Sequence, residues 1–272
     1  MDIDPKFYKN NYLDIREFNE EELKSHFIKY GFWEGRIGSQ EMLNDRIKKN
    51  DKIVEKRNKV LDDFNYKKGN EELINILIRT SKRPKAFKIN INSILSQNYK
   101  NLKLLISYDN EETLNYINNI LKDLELDYNL FEVQKTKEYY SYNDYCNTLL
   151  ANVKDGYIIF LDDDDKFLHN NALKYINEHL LEDRFLAWEY QRPDKIIGPK
   201  KGDIKKGNIT SCGFCYHSKF KSFWPSLIGS DYEFVKNLVN KNPIKLAKIN
   251  KVLTASIIFS RIYGEGKCLD LE

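Results

Sequence analysis

The sequence predicts an α/β fold: a mixed, mostly parallel sheet flanked by helices, preceded by a small α-helical appendage. Three observations carry this expectation. From Leu73 onward, short apolar runs alternate with amphipathic stretches in the order βαβαβαβα, the pattern of parallel strands joined by crossover helices. The run Tyr157-Ile158-Ile159-Phe160-Leu161 is apolar without alternation, which suits a strand buried on both faces. Four carboxylates, Asp162 to Asp165, follow it directly, at the strand end where open α/β sheets bind ligands.

Residues 1–69 read as the appendage and residues 70–272 as the main domain. Asp4 to Asp14 is rich in Tyr, Asn and Lys and shows no clear period. Asn19 is placed to cap a helix that runs to Tyr30 and stops at Gly31, with Leu23, Phe27 and Tyr30 on one face. His26 and Trp33 read as packing residues. Ser39 opens a second helical stretch, and Lys67-Lys68-Gly69-Asn70 reads as a linker. The main domain begins with a strand over Leu73 to Ile78. A helix opening at Pro84 turns Phe87, Ile91, Ile94 and Leu95 inward. A strand over Leu102 to Ile106, an amphipathic helix over Glu111 to Leu126 and a strand over Tyr128 to Val133 come next. A helix over Tyr142 to Val153 leads into the strand Tyr157 to Leu161, and Asn170 to Leu181 is again helical. Phe185–Gln191 and Ile209–His217 are strand-like, a helix starts at Ser230, and apolar segments cover Ile244–Ile249 and Val252–Phe259.

Composition narrows the function classes. A formal net charge of +3 over 272 residues is too small to argue for a nucleic-acid partner. No apolar run approaches the length needed to cross a bilayer, and Met1 to Pro5 lacks the basic and apolar regions of a signal peptide, so the expectation is a soluble, cytoplasmic protein. Cys146, Cys212, Cys215 and Cys268 read as reduced thiols. Cys212-Gly213-Phe214-Cys215 has zinc-like spacing with His217 nearby, but a structural zinc site usually shows two such pairs. No glycine-rich dinucleotide loop or phosphate-binding P-loop is present. The basic run Lys195 to Lys206 reads as a solvated loop, with a flap over substrate phosphates as the alternative.

Four adjacent carboxylates raise each other's pKa unless a cation sits among them. Against a solvated acidic turn, the attachment to a buried strand favours a divalent metal held through oxygen. Three chemistries fit such a site. Phosphoryl transfer resembling the haloacid dehalogenases needs Asp-x-Asp-x-Thr, and Lys166 stands at the Thr place. Nucleotidyl transfer calls for a glycine-rich loop after the first strand, and Arg79-Thr80-Ser81-Lys82-Arg83-Pro84 has no glycine. Glycosyl transfer uses the metal to neutralise a diphosphate leaving group.

Six segments in order resemble the family 2 glycosyltransferases of GT-A fold. They are Ile76 to Pro84, Ser93-Ile94-Leu95-Ser96-Gln97-Asn98-Tyr99, Leu104 to Asn110, Asn147, Asp162 to Asp165 and Gly229 to Phe234. Together they span about residues 73–265. The resemblance implies a GT-A domain and a nucleotide-sugar donor, UDP-linked, with a glycan or other hydroxyl acceptor. Thr80, Arg83 and Asp109 would hold the base, and Asn147 would help shape the nucleotide pocket. Asp162 and Asp163 would join the donor-binding set, and Asp162 with Asp164 would ligate Mn²⁺ or Mg²⁺. Asp231 would be the general base of a direct, inverting attack. By residues alone, Ser230 with Glu233 also forms a capping-box pattern that gives Asp231 a purely local role. Trp188, Tyr190, Phe223 and Trp224 read as core, with ring stacking on a sugar as the alternative.

The chain departs from the family pattern in places. Arg79 and Lys82 stand where Pro and Asn are usual, Cys146 stands for an Arg and Ser230 for a Glu. A C-terminal His ligand is replaced by Arg261-Ile262-Tyr263. These departures leave a second reading open, a non-catalytic glycan- or partner-binding protein on a degraded GT-A domain. The segment His26 to Arg36 resembles modules attached to some bacterial and giant-virus glycosyltransferases, and homo-oligomerisation through these N-terminal helices is a further expectation.

Overall fold

The computed structural model describes residues 3–134, 142–199, 204–227 and 229–257. The chain starts with α1 (Pro5–Asn11), where the sequence showed no period. Asp4 caps it by accepting from the Lys6 and Phe7 backbone N–H groups, so a local cap rather than a hydrophobic repeat sets this helix. The second helix, α2 (Glu20–His26), begins at the expected Asn19, which forms a capping box with Glu22. It does not continue as an α-helix to Tyr30. Phe27–Gly31 is a π-turn, and its extra residue rotates the chain beyond it. Leu23 and Phe27 stay buried, but Tyr30 is 58% exposed and Trp33 78% exposed. The expected one-face grouping of Tyr30 and the packing role of Trp33 are thereby overturned, whereas His26 does pack, with Nδ1 3.1 Å from the Tyr8 hydroxyl.

Tyr8, Tyr12, Ile15, Leu23, Phe27, Ile37 and Leu43 form the appendage's own small core. Gly31 belongs to it by necessity, because a Cβ there would stand 2.1 Å from the Tyr8 hydroxyl oxygen. Arg36 closes the unit with paired bonds of 2.9 and 2.7 Å to Asp14. Capped by Ser39, α3 (Gln40–Asn58) then runs onto the main domain. Asn58 exchanges two bonds with the Val252 backbone, at 2.6 and 3.2 Å, and Leu61 enters the main core. In the linker, the Lys67 and Lys68 N–H groups donate to Glu178.

The main domain follows the predicted alternation: β1 (Ile74–Arg79), α4 (Pro84–Leu95), β2 (Leu102–Tyr108), α5 (Glu111–Leu121), β3 (Tyr128–Glu132), α6 (Tyr142–Asn152) and β4 (Tyr157–Phe160). It continues with β5 (Asp165–Phe167), α7 (Ala172–Glu178), β6 (Arg184–Gln191), β7 (Ile196–Ile197), β8 (Phe214–His217), α8 (Asp231–Lys241) and β9 (Lys245–Ser256). Where two apolar segments were expected after residue 244, one long strand forms, with a register shift against β6 around Glu189. Strand order is β3-β2-β1-β4-β8-β6-β9-β5, with β7 on β6. The first four strands are parallel, and β8 lies antiparallel between β4 and β6.

Successive residues of the central strands enter opposite cores, as the period of two requires. Ile76, Ile78, Ile106 and Ile159 meet Phe87, Ile91 and Ile117 from α4 and α5. Leu77, Leu105, Ile158 and Phe160 meet Leu149, Phe234 and Leu238 from α6 and α8. Both faces are covered, which is why these strands read as continuous apolar runs. No described helix is long and apolar enough to cross a membrane.

Asn58→Ala should test the attachment of α3. It leaves the buried N–H and C=O of Val252 without their partner, and the expected loss is about 2 kcal/mol of unfolding free energy in a denaturant titration.

Candidate functional site

Leu161 ends the buried run, and the acidic turn after it is fastened from below. Asn90 of α4, fully buried, donates through Nδ2 to the carbonyls of Leu161, Asp162 and Asp165 at 3.3, 2.9 and 2.8 Å. The Asp165 N–H closes the turn onto the Asp162 carbonyl at 2.9 Å. The four side chains then part company, each to its own partner.

Asp162 accepts from Arg79 through both oxygens, Nε at 2.8 Å and Nη2 at 2.6 Å, and from the Ser211 hydroxyl at 3.3 Å. Asp163 is buried. It takes the Thr80 hydroxyl proton at 2.7 Å and faces Arg83 Nη1 at 3.2 Å. Burial pushes its pKa up, against the pull of Arg83. Asp164 is the reachable carboxylate, one-third exposed, and Arg83 Nη1 lies 2.6 Å from its Oδ2. Asp165 accepts from the Tyr190 hydroxyl at 2.5 Å and from the Cys212 thiol. Burial, then the neighbouring Asp164 and Asp162 charges, hold its pKa well above the carboxylate range.

The remaining predicted residues lie around this turn. The Thr80 hydroxyl is enclosed between Asp163 and the Tyr116 hydroxyl. Asp109 stands just past the end of β2, the strand next to β1, where its carboxylate accepts from the Asn110 side chain at 2.7 Å. Asn147 of α6 clamps the Trp224 backbone, donating to its carbonyl at 2.9 Å and accepting from its N–H at 2.8 Å. One turn earlier Asn143 donates to the carbonyls of Pro225 and Leu227 and to Ser230 Oγ at 2.9 Å. The two asparagines thus hold the strand of chain that leads into α8, whose first residue is Asp231.

Ser230 makes no side-chain cap, so the capping box expected from Ser230 and Glu233 does not form; Asn143 engages the Ser230 hydroxyl instead. Burial raises the Asp231 pKa to about 6, opposed by the Arg79 charge and reinforced by Asp162. Arg79 therefore acts on Asp162 and Asp231 together.

Trp188, Tyr190 and Trp224 are buried, and Trp224 stacks on Phe234 at 4.4 Å; only Phe223 is open to solvent, at 57%. It borders a cavity of about 360 Å³ between α6, β4 and β8, which Asn147 also lines. Asn90 and Asn143 were not picked from the sequence, where Cys212 drew notice only for its spacing to Cys215 and Arg79 only as a departure from the family pattern. The i, i+4 pair Asn143 and Asn147 is the signal that marks one of them. Cys146, Cys212 and Cys215 are free and buried, in line with reduced thiols, and Cys268 and Arg261-Ile262-Tyr263 lie outside the described residues. So does part of the Lys195 to Lys206 run.

The donor set suits a hard divalent cation in part. Asp164 offers accessible oxygen, but Arg79 occupies both oxygens of Asp162. Asp162, Asp165 and Cys212 bring one ligand atom each within 4.8 Å of one another. That group is buried, and its thiol donates to Asp165.

A family model described as Glycosyl transferase family 2 matches residues 76–216, just over half of the chain. No curated protein sequence matches. Among solved structures, S. aureus TarS residues 1–349 superposes with a TM-score of 0.52 at 16% identity, over 68% of this chain and 60% of that one. The same protein in complex with UDP-GlcNAc gives 0.51 at 16%, over 68% and 58%. Mannosyltransferase PcManGT from Pyrobaculum calidifontis, in complex with GDP-Man and Mn²⁺, gives 0.55 at 10%, over 77% and 64%. The chain thus spans less than two thirds of these neighbours, and at such identities the likeness is one of fold.

The raised Asp231 pKa has a defined consequence for stability. A carboxyl whose folded pKa exceeds its unfolded one favours the fold below the unfolded value of 3.8 and loses that contribution as pH rises through about 6. Relative to wild type, Asp231→Asn should gain on the order of 1–3 kcal/mol between roughly pH 4 and pH 7, read from denaturant unfolding at each pH.

Proposed function

The chain belongs to glycosyl transferase family 2, and from that premise we propose that it is a glycosyltransferase that moves a sugar from a nucleotide-sugar donor, UDP-linked, to a hydroxyl of a glycan or other acceptor with inversion. The observation that carries this reading is the approach of two acidic elements at one sheet end. The Asp162–Asp165 turn follows β4 and Asp231 opens α8, and the charges of Arg79 and Asp162 both act on Asp231. Neighbours that hold UDP-GlcNAc and GDP-Man with Mn²⁺ support a nucleotide sugar as donor.

In this mechanism Asp109 accepts from an N–H of the base and Thr80 stands on the same side, while Arg83, first expected at the base, faces Asp163 and Asp164 and so lies on the diphosphate side. Asn147 shapes the pocket wall by holding Trp224, and Asp162 and Asp163 face the ribose and diphosphate side. Asp164 with Asp162 would hold Mn²⁺ or Mg²⁺, which would neutralise charge that builds on the departing diphosphate. Arg79 must then yield or share Asp162. Asp231 takes the proton of the acceptor hydroxyl as the new C–O bond forms at the anomeric carbon and the bond to the diphosphate breaks on the opposite face. A carboxyl with a pKa of about 6 is ionised near neutral pH and is a stronger base than an ordinary aspartate.

Residues 1–69 serve as an appendage to a transfer domain of residues 70–272. Its separate core supports that division, and the exposed Ile28, Tyr30 and Trp33 support pairing with a second copy.

Calorimetry with UDP and Mn²⁺ should show binding to the wild type that Asp164→Ala abolishes; equal binding by the variant would refute the metal assignment. Asp231→Asn should keep nucleotide binding and lose transfer by roughly 10²- to 10⁴-fold. The wild-type rate should fall as pH drops through about 6, and a flat profile there would remove Asp231 as the base.

A further inference from the structure

Arg83 is the positive charge that Asp164 now faces. Its Nη1 lies 2.6 Å from Asp164 Oδ2 and 3.2 Å from Asp163 Oδ1. Asp163 Oδ1 is buried and receives no hydrogen bond, so the guanidinium is its countercharge. The backbone that presents this side chain is strained. Lys82 has φ 55°, the one non-glycine residue at positive φ among the described residues, a conformation that costs a side-chain-bearing residue about 1–2 kcal/mol. Strain of this kind collects at ligand clamps and switch segments. Arg79 is fixed differently, at the end of β1, with both its contacts on the one carboxylate.

We propose that Arg83 is an exchangeable counter-ion. It holds Asp163 and Asp164 in the donor-free protein and passes to the diphosphate of the donor, which releases Asp164 to a divalent cation. This rests on the nucleotide-sugar reading above. A guanidinium fork matches a phosphate as well as a carboxylate, so the diphosphate offers it an equivalent partner. A cation arriving alone must expel Arg83 with no acceptor to receive it. Nucleoside diphosphate and cation therefore tighten each other's binding, and by linkage the factor is the same in both directions.

Mn²⁺ alone, titrated into the full chain and followed by the electron paramagnetic resonance of free Mn²⁺, reads the hold on Asp164 directly. R83Q should bind Mn²⁺ roughly tenfold more tightly than wild type, and adding D164N to R83Q should remove the gain. Equal Mn²⁺ affinity in wild type and R83Q, in a variant that still unfolds cooperatively, would overturn the proposal. R83K supplies a second variant if R83Q does not fold. It keeps the charge that Nη1 alone now brings to both carboxylates, so its Mn²⁺ affinity should stay near wild type, and a roughly tenfold gain there would overturn the proposal. Repeating the titration with UDP and with GDP reads the hand-over. Nucleotide should tighten Mn²⁺ binding more in wild type than in R83Q, and equal factors would refute the exchange. If neither nucleotide binds the wild type, the nucleotide-sugar reading fails and the hand-over with it. If nucleotide binds but Mn²⁺ affinity ignores Arg83, only the counter-ion proposal fails.

Discussion

Four carboxylates in a row at the end of a buried strand impose the constraint from which the main domain is arranged. Two unit charges about 4 Å apart repel by roughly 4 kcal/mol at the effective dielectric of a protein surface. Four such groups cannot all ionise there unaided. Each has been given a different remedy. Arg79 neutralises Asp162, Arg83 serves Asp163 and Asp164, and Tyr190 with Cys212 donates to Asp165. These partners come from β1, the start of α4, β6 and the turn before β8. Pairing of β1 with β4 is what lets Arg79 reach Asp162, and pairing of β9 with both β5 and β6 is what brings Tyr190 within reach of Asp165, which Cys212 meets from the turn before β8. Strand order and charge neutralisation are therefore one requirement.

The other half of the site depends on a quieter device. Among the described residues, the segment between Trp224 and Ser230 forms no helix or strand, yet it leads into Asp231 at the start of α8. Asn147 and Asn143 hold it from a single helix face, and Trp224 anchors it by stacking on Phe234. Amide side chains suit this work because each carries both a donor and an acceptor, so they substitute for the missing ladder partners of an irregular backbone.

The main strands were legible in the sequence because burial on both faces leaves an uninterrupted apolar run, as in Tyr157 to Leu161. Helix starts were legible where a cap sits beside a periodic stretch, as at Asn19 and Ser39. Signals without a period escaped. The helix α1 rests on one Asp4 cap, and the π-turn that swings Tyr30 and Trp33 outward adds a residue that no spacing rule anticipates. Within the site, Asp162 to Asp165 stood out because four carboxylates at a strand end need an explanation, and Asp231 through the family resemblance. Asn90 and Asn143 did not, and Cys212 drew notice only for its spacing to Cys215, because the importance of all three lies in backbone and side-chain partners 47 to 87 residues distant in sequence. Neither Arg79 nor Arg83 could be paired with a particular carboxylate until the sheet had been assembled.

Arg79 and Cys146 make sense only as a pair. Against the family pattern, the first is a charge gained on β1 and the second a charge lost on α6. In the fold the two lie close: burial pushes the Cys146 thiol up to about 12, and the Arg79 charge opposes that rise. An arginine at position 146 would bring a second guanidinium into the space between Asp162 and Asp231. A thiol there is small and uncharged, and leaves that space to the arginine arriving from the strand. The positive charge is thus supplied from another element of the fold. Its anchor is now the end of β1, whose neighbours β2 and β4 fix its backbone, so the cation paired with Asp162 is held by the sheet itself.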